Sequence, residues 1–269
     1  MSINFNLSKF RVLVTSSTRG IGFYVAKSLA RWGASVIING RSRENLEKAL
    51  EEIRKISIEG EAHGVIANLL DADSLEHLFK KSWELLGGLD AIVVNVGNVR
   101  CEPCYLHEVN YDDWLEAAKL HTIAPGYLAT LFIRKLLEEG NRGSILFLSS
   151  VTIKEPMPHF VLADTCRAGL VQLAKVIARF YGRQGIKAVT VLLGSFDTPG
   201  ARRNIRILAE RRGIDFNTAW KKWVLEPTPL RRTGREEELG ALIAYLLSPI
   251  AEYINGSTII LDGAMSSCV

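Results

Sequence analysis

The run from Arg11 to Trp32, RVLVTSSTRGIGFYVAKSLARW, constrains this chain more than any other stretch. Val12, Leu13 and Val14 form the short apolar run of a buried strand. A polar turn follows, Thr15-Ser16-Ser17-Thr18-Arg19-Gly20. Ile21, Val25, Leu29 and Trp32 then recur at helical spacing, which predicts an amphipathic helix directly after the turn. Strand, small-residue turn and helix in that order open a dinucleotide-binding unit. Glycines there let the backbone approach a pyrophosphate, which rests on the free N–H groups of the helix N-terminus. Gly20 and Gly22 supply two of the usual three glycines, and Ser16 stands in the first position.

The same rhythm continues along the chain. Ser35–Asn39 reads as a second strand, and Ser42 caps a helix running through Lys55, with Glu44 favourable in its first turn. Ala62–Leu69 is a third strand. A helix starting at Asp71 or Asp73 buries Leu75, Leu78, Phe79 and Trp83 and ends at Gly87-Gly88. Ala91–Asn95 is a fourth strand. The helical pattern from Asp112 to Glu139 contains Pro125, which is expected to bend or interrupt it. Gly143–Ser149 is a fifth strand, Phe160–Tyr181 a helix and Lys187–Leu193 a sixth strand. Pro199–Val224 reads as two helical pieces broken at Gly213, Glu236–Leu247 as a helix and Thr258–Asp262 as a last strand.

Alternating strands and helices predict an α/β protein, a single doubly wound parallel sheet of the Rossmann type. No Gly/Pro-rich linker, repeat or low-complexity tract divides residues 1–269, so one domain is expected. The excursion over about residues 200–229 leaves the α/β rhythm just after strand six. Ligands of open α/β sheets bind beyond the carboxyl ends of the strands, so this piece reads as a helical substrate lid.

Composition narrows the function classes. With 48% hydrophobic and 23% charged residues among 269, the chain has an ordinary globular balance and enough length for a sizeable core. The net charge of +4 does not call for a nucleic-acid partner. It is unevenly placed, because ten basic residues face three acidic ones between Ala201 and Arg235. No apolar run approaches a membrane span, and MSINFNLSKF lacks a signal-peptide pattern, so a cytoplasmic protein without a membrane partner is expected. The four cysteines include Cys101-Glu-Pro-Cys104, but no second CxxC completes a zinc site, and no metal is expected.

By Asp262 the accumulated motifs resemble those of the short-chain dehydrogenase/reductase family, classical type, over essentially the whole chain. The family's opening T-G-x-x-x-G-x-G reads here Thr15-Ser16-Ser17-Thr18-Arg19-Gly20-Ile21-Gly22, and its N-N-A-G after strand four reads Val94-Asn95-Val96-Gly97. Its serine after strand five is Ser150. Its P-G-x-x-x-T after strand six reads Leu193-Gly194-Ser195-Phe196-Asp197-Thr198, and its closing signature is Tyr253-Ile254-Asn255-Gly256 followed by Asp262-Gly263-Ala264. The resemblance implies hydride transfer between a nicotinamide cofactor and a secondary alcohol or carbonyl, on a sugar or a 3-oxoacyl type substrate. It further implies a homotetramer paired through the long helices around strand five, where Leu128, Leu131, Leu136, Leu173 and Ile177 are the apolar candidates for an interface.

The chain departs from the family at its chemistry. The family's Y-x-x-x-K precedes A-G-L, and here Arg167-Ala168-Gly169-Leu170 puts Arg167 at the lysine and Ala163 at the tyrosine; the spacing from Ser150 gives the same register. The family's asparagine in the long helix is His121. The catalytic set implied is therefore Ser150, Arg167 and His121. Alanine has no proton to give, and general acid–base help is worth ~10²–10⁴-fold. Arginine stays charged and is no proton relay. Three readings follow: a cofactor-binding member whose ordinary catalysis is impaired or lost, an active dehydrogenase with His121, His159 or Asp164 as replacement proton donor, and a non-catalytic cofactor- or partner-binding module.

Strand two ends Asn39-Gly40-Arg41-Ser42, without the acid that binds a ribose 2′-hydroxyl. Arg41 and Arg19 are placed instead to meet a 2′-phosphate, so NADP(H) is expected over NAD(H). The resemblance puts Ser16, Thr18 and Ile21 in the pyrophosphate turn, and Asn68 and Leu69 beside the adenine. It puts Asn95, Gly97, Arg167, Gly194, Phe196 and Thr198 along the remaining cofactor. The basic lid, with Trp220 and Trp223, suits a small-molecule substrate carrying negative charge.

Overall fold

In the computed structural model of the protein, which describes Phe5 and residues 7–268, β1 (Arg11–Val14) leads through the polar turn into α1 (Gly20–Arg31). The N-terminal residues searched for a signal peptide lie partly outside the described residues. β2 (Ser35–Gly40) and α2 (Arg43–Ile56) follow, with Ser42 capping α2 by accepting from the Asn45 N–H. β3 (Ala62–Ile66), α3 (Ala72–Leu86) and β4 (Ala91–Val94) continue the pattern. Asp71 accepts from the Ser74 N–H at the start of α3, and Gly87 ends it in the left-handed region at φ 64°.

The second half comprises α4 (Tyr111–Ala118), α5 (Ala124–Glu139), β5 (Gly143–Ser150), α6 (Val161–Arg167), α7 (Gly169–Tyr181) and β6 (Ile186–Leu193). α8 (Pro199–Arg212), α9 (Phe216–Trp220), α10 (Glu236–Leu247) and β7 (Thr258–Leu261) complete it. All neighbouring strands pair in parallel, in the order β3-β2-β1-β4-β5-β6-β7. The winding reverses between β1 and β4, which opens a crevice beyond their carboxyl ends.

Strand alternation divides the core between two faces. Val12, Val14, Val36, Ile38, Leu146 and Val189 pack toward α1, α2 and α10, with Leu29 and Ile243. Leu13, Ile37, Ile92, Ile145 and Phe147 pack toward α3, α5 and α7, with Leu78, Leu128, Phe132 and Leu136. Lys187 is buried on β6 and ties it to the end of α10, its Nζ donating to the Leu246 and Ala251 carbonyls at 2.6 and 2.7 Å.

Several elements differ from the sequence expectation. β3 stops at Ile66 rather than Leu69, because the Asn39 side-chain amide takes the Val65 and Ala67 carbonyls and draws the chain into a turn. The long helix around Pro125 is interrupted, as expected, by a π-helical turn over Lys119–Ile123. Pro125 has no N–H to offer the carbonyl four residues back, and the Ala124 N–H reaches five residues back to Lys119 instead. The helix predicted over 160–181 is two helices, parted at Ala168. There the Thr122 hydroxyl donates to the Cys166 carbonyl, which an unbroken helix would offer to residue 170. Of the five interface candidates, Leu128, Leu136 and Ile177 are buried within the chain's own core. Leu131 and Leu173 are half-buried against it. The helical spacing that singled them out is that of the inward face.

Candidate active site

The crevice begins at the turn after β1. The Thr15 hydroxyl donates to the Asn95 carbonyl at 2.6 Å, and the Asn95 N–H returns to the Thr15 hydroxyl at 3.0 Å. Asn95 Nδ2 donates to the Ser16 carbonyl, and the Ser16 N–H donates to Asn39 Oδ1. The turn is thus pinned to the ends of both β2 and β4. Gly20 has φ +60°, and a Cβ on Gly22 would lie 2.5 Å from the Ser16 carbonyl oxygen, so helix and turn approach as closely as a pyrophosphate cradle requires. Gly97 faces open space, with no atom within 4 Å of where its Cβ would be. Ser16 has φ +46°, the backbone a glycine would take there.

Gly40 packs against Thr18: a Cβ on Gly40 would lie 2.4 Å from Thr18 Cγ2. The end of β2 and the glycine turn therefore touch, and Arg41 and Arg19 are the next residues of the two segments. Both arginines are exposed, and neither engages a partner among the described residues. Of the other expected cofactor residues, Asn68 is exposed and accepts from the Leu70 N–H, while Leu69 is buried. Gly194 packs closely on Asp262, Thr198 caps α8 by accepting from the Ala201 N–H, and the Phe196 ring is buried over Gly234. The close approach at Gly22, the open position at Gly97, a pinned turn and two exposed arginines fit a phosphorylated dinucleotide.

The end of β5, the turn that follows it and the later residues of α6 bring four side chains together. Ser150 Oγ lies 3.0 Å from Thr152 Oγ1, and Thr152 also bonds Asp164 Oδ1 through its hydroxyl. Arg167 Nη2 donates to both, at 3.0 Å to Thr152 Oγ1 and 2.6 Å to Asp164 Oδ1. Asp164 Oδ2 accepts the Met157 N–H. The Asp164 carboxylate is buried, so the guanidinium compensates a charge that would otherwise be costly. Ala163, next to Asp164 in the chain, is 4% exposed and packs with Leu162 and Cys104, its N–H donating to Glu102 Oε1 at 2.8 Å. Burial pushes the Glu102 carboxyl up, against the opposing pull of the Ala163 N–H and Arg167.

The three expected proton donors fare differently. His121 sits in the π-helical turn at 2% exposure, with neither ring nitrogen hydrogen-bonded. Burial, helped by the Arg167 charge, lowers it to about 3. At neutral pH this imidazole is therefore uncharged and supplies no imidazolium as an acid. His159 is half-buried on the Phe160 ring, and burial lowers it too. Asp164 is held in the ion pair. Thr152, Glu102 and Asn39 were not singled out from the sequence. A Ser-x-Thr after a strand, a glutamate before proline and a strand-end asparagine carry no recognisable pattern.

The lid is α8, α9 and a second π-helical turn, Lys221–Leu225, around a small core of Ile205, Ala209, Ala219 and Val224. Most of its arginines are engaged within the chain. Arg202 forms a two-pronged pair with Asp197 at 2.6 Å, Arg203 donates to the Arg100 and Glu102 carbonyls, Arg211 pairs Glu108, and Arg232 pairs Glu238. Arg206 lies over the Phe216 ring. Three carboxylates from outside the stretch, Asp197, Glu108 and Glu238, thus offset part of the positive charge counted in the sequence, and the lid is fastened to the loop 100–108.

Comparison with known proteins agrees with this architecture. A family model described as enoyl-(acyl carrier protein) reductase matches residues 15–266. The chain is 32% identical over 254 residues to a 3-oxoacyl-[acyl-carrier-protein] reductase of Aquifex aeolicus, covering 94% of this chain and 96% of that one. It is 28% identical over 262 residues to a gluconate 5-dehydrogenase of Gluconobacter oxydans, covering 97% and 96%. Among solved structures, L-sorbose reductase from Gluconobacter frateurii, complexed with NADPH and L-sorbose, superposes with a TM-score of 0.89 at 22% identity, over 99% of this chain and 100% of that one.

Proposed function

Because this chain belongs to the short-chain dehydrogenase/reductase family, we propose that it is an NADP(H)-binding oxidoreductase scaffold in which the family's ordinary proton chemistry is lost. The network Ser150–Thr152–Asp164–Arg167, with alanine at 163, carries this reading. Arg167 is committed to Asp164 and Thr152, and no phenol stands beside it. When bound, the dinucleotide supplies a hydride acceptor or donor at its nicotinamide. The turn of Ser16, Thr18, Arg19 and Ile21 would hold its pyrophosphate, and Arg19 with Arg41 its 2′-phosphate. Asn68 and Leu69 would border the adenine. Asn95, Gly97, Arg167, Gly194, Phe196 and Thr198 would border the ribose and nicotinamide. Ser150 remains able to donate a hydrogen bond to a substrate oxygen, a contribution of roughly 10²–10³-fold at best.

The site suits a small secondary alcohol or carbonyl, of the sugar or 3-oxoacyl kinds named for the relatives, and Lys221 and Lys222 on the lid favour one carrying negative charge. Partner-only and replacement-donor readings receive less support, since Arg202 and Arg211 of the lid are ion-paired within the chain and His121 is neutral. A cytoplasmic homotetramer is proposed, paired through the outer faces of α4, the π-helical turn after it, α5 and α7, where Leu115, Ile123, Leu137, Val176 and Phe180 are exposed. Among the described residues no helix is long and apolar enough to cross a membrane.

Calorimetric titration with NADPH and then NADH tests the cofactor assignment. A charged hydrogen bond to phosphate is worth about 1.5–3 kcal/mol, so NADPH should bind roughly 10- to 100-fold more tightly than NADH. Arg41→Ala should remove most of that ratio. Equal affinities in the unaltered protein would contradict it.

A further inference from the structure

The loop after β4 carries a thiol pair that the cofactor site does not use. Cys101 Sγ and Cys104 Sγ lie 3.5 Å apart, and both are free. Cys104 is buried, Cys101 is half-exposed, and among the described residues no group of three or more His, Cys, Asp or Glu side chains is placed to hold a metal. The loop is fixed on every side. The Cys104 N–H donates to the His159 carbonyl at 2.9 Å, the Glu102 carboxylate accepts from the Ala163 N–H, and Arg203 of α8 donates to the carbonyls of Arg100 and Glu102.

We propose that Cys101 and Cys104 are an oxidation site, closed to an intramolecular disulfide by a hydroperoxide, and that this closure stiffens the anchor of the lid. The two sulfurs must approach by about 1.5 Å to reach the bonded distance of ~2.05 Å, a shift that side-chain rotation in a short loop supplies. The more accessible Cys101 reacts first. Its sulfur attacks the peroxide oxygen, the O–O bond breaks, and water or an alcohol leaves with the thiol proton. The sulfenic acid so formed is attacked by Cys104 Sγ, the S–S bond forms, and a second water carries away the hydroxyl and the Cys104 proton. Two thiols lose two electrons in all, and one peroxide gains them. Burial and the neighbouring Cys104 and Asp113 push the Cys101 thiol up to about 12. The reaction with peroxide is therefore slow at neutral pH and speeds as pH rises and the thiolate fraction grows.

Trypsin cuts after Arg100 and Lys119, so both cysteines fall in one peptide, while Cys166 and Cys268 fall in others. The full chain is treated with hydrogen peroxide, alkylated after denaturation and digested. Peptide 101–119 should lose two hydrogens and take up no alkylating agent, and the backbone amides of α8 should exchange with solvent severalfold more slowly than in the reduced protein. Cys104→Ser should instead leave Cys101 as a trapped sulfenic acid; should that variant fold poorly, Cys101→Ser should leave Cys104 alkylatable under the same treatment. Peptide 101–119 with both thiols still alkylatable, Cys101 overoxidised beside a reduced Cys104, or bonds to Cys166 or Cys268 would overturn the assignment. Unchanged exchange in the oxidised protein would overturn its coupling to the lid. None of these readouts depends on cofactor binding.

Discussion

Ser16 shows how one residue can carry both a family's geometry and a departure from it. The turn demands φ +46° there, and a serine pays a steric penalty of about 1–2 kcal/mol that glycine does not. Ser16→Gly should therefore raise stability by up to about 1 kcal/mol, part of the relief being offset by the greater freedom of glycine in the unfolded chain. Urea denaturation measures this, and a lowered midpoint would show that the serine is not strained. The position was legible from the sequence as a missing glycine; its backbone angle was not. The site's substitutions divide in the same way. Ala163 and Arg167 could be read from the register of Ala168-Gly169-Leu170. The engagement of Arg167 with Asp164 and Thr152 depends on how β5 and α6 meet, which no local pattern encodes.

At the scale of elements, the helices with polar caps and the strands with continuous apolar runs were legible almost to the residue. α10 runs over Glu236–Leu247 as its composition predicts, and Asp71 and Gly87 bound α3. Elements shaped by a distant group were not: β3 ends where Asn39 takes its carbonyls, and α6 parts from α7 where Thr122 takes one. Pro125 announced an interruption but not its form. The π-helical turn it produces swings His121 into the interior, where the imidazole stays neutral down to about pH 3. An unfolded histidine takes up a proton near pH 6.5, so the unfolded state binds more protons between those limits. Stability from this group is present above pH 6.5 and is lost as pH falls toward 3, at up to about 1.4 kcal/mol per pH unit. His121→Asn should flatten that acid limb in urea titrations between pH 6.5 and 4. An equally steep limb in the variant would assign the loss to other groups.

At the scale of the whole molecule, the proposed dinucleotide cradle faces a centre in which Ala163 stands at the position the family resemblance gives to tyrosine. The winding reversal between β1 and β4 places the glycine turn, Arg19 and Arg41 on one side of the crevice. The ends of β5 and β6 bring Ser150 and the anchored lid to the other. Both faces of the sheet are filled, and the residues that depart from the family pattern lie outside those two clusters: Ala163 packs in a smaller one with Cys104 and Leu162, and His121 is buried in the π-helical turn. Steady-state oxidation of NADPH, with the enzyme saturated in cofactor and offered ketoses and 3-oxoacyl thioesters, tests the central claim most directly. A loss of general acid help predicts turnover roughly 10²–10⁴-fold below the ~10 s⁻¹ of an ordinary enzyme, despite full occupancy of the cofactor site. Turnover near ~10 s⁻¹ on any of these substrates would contradict the account, because a proton donor would then be at work that Ser150, His121, Asp164 and Arg167 do not supply.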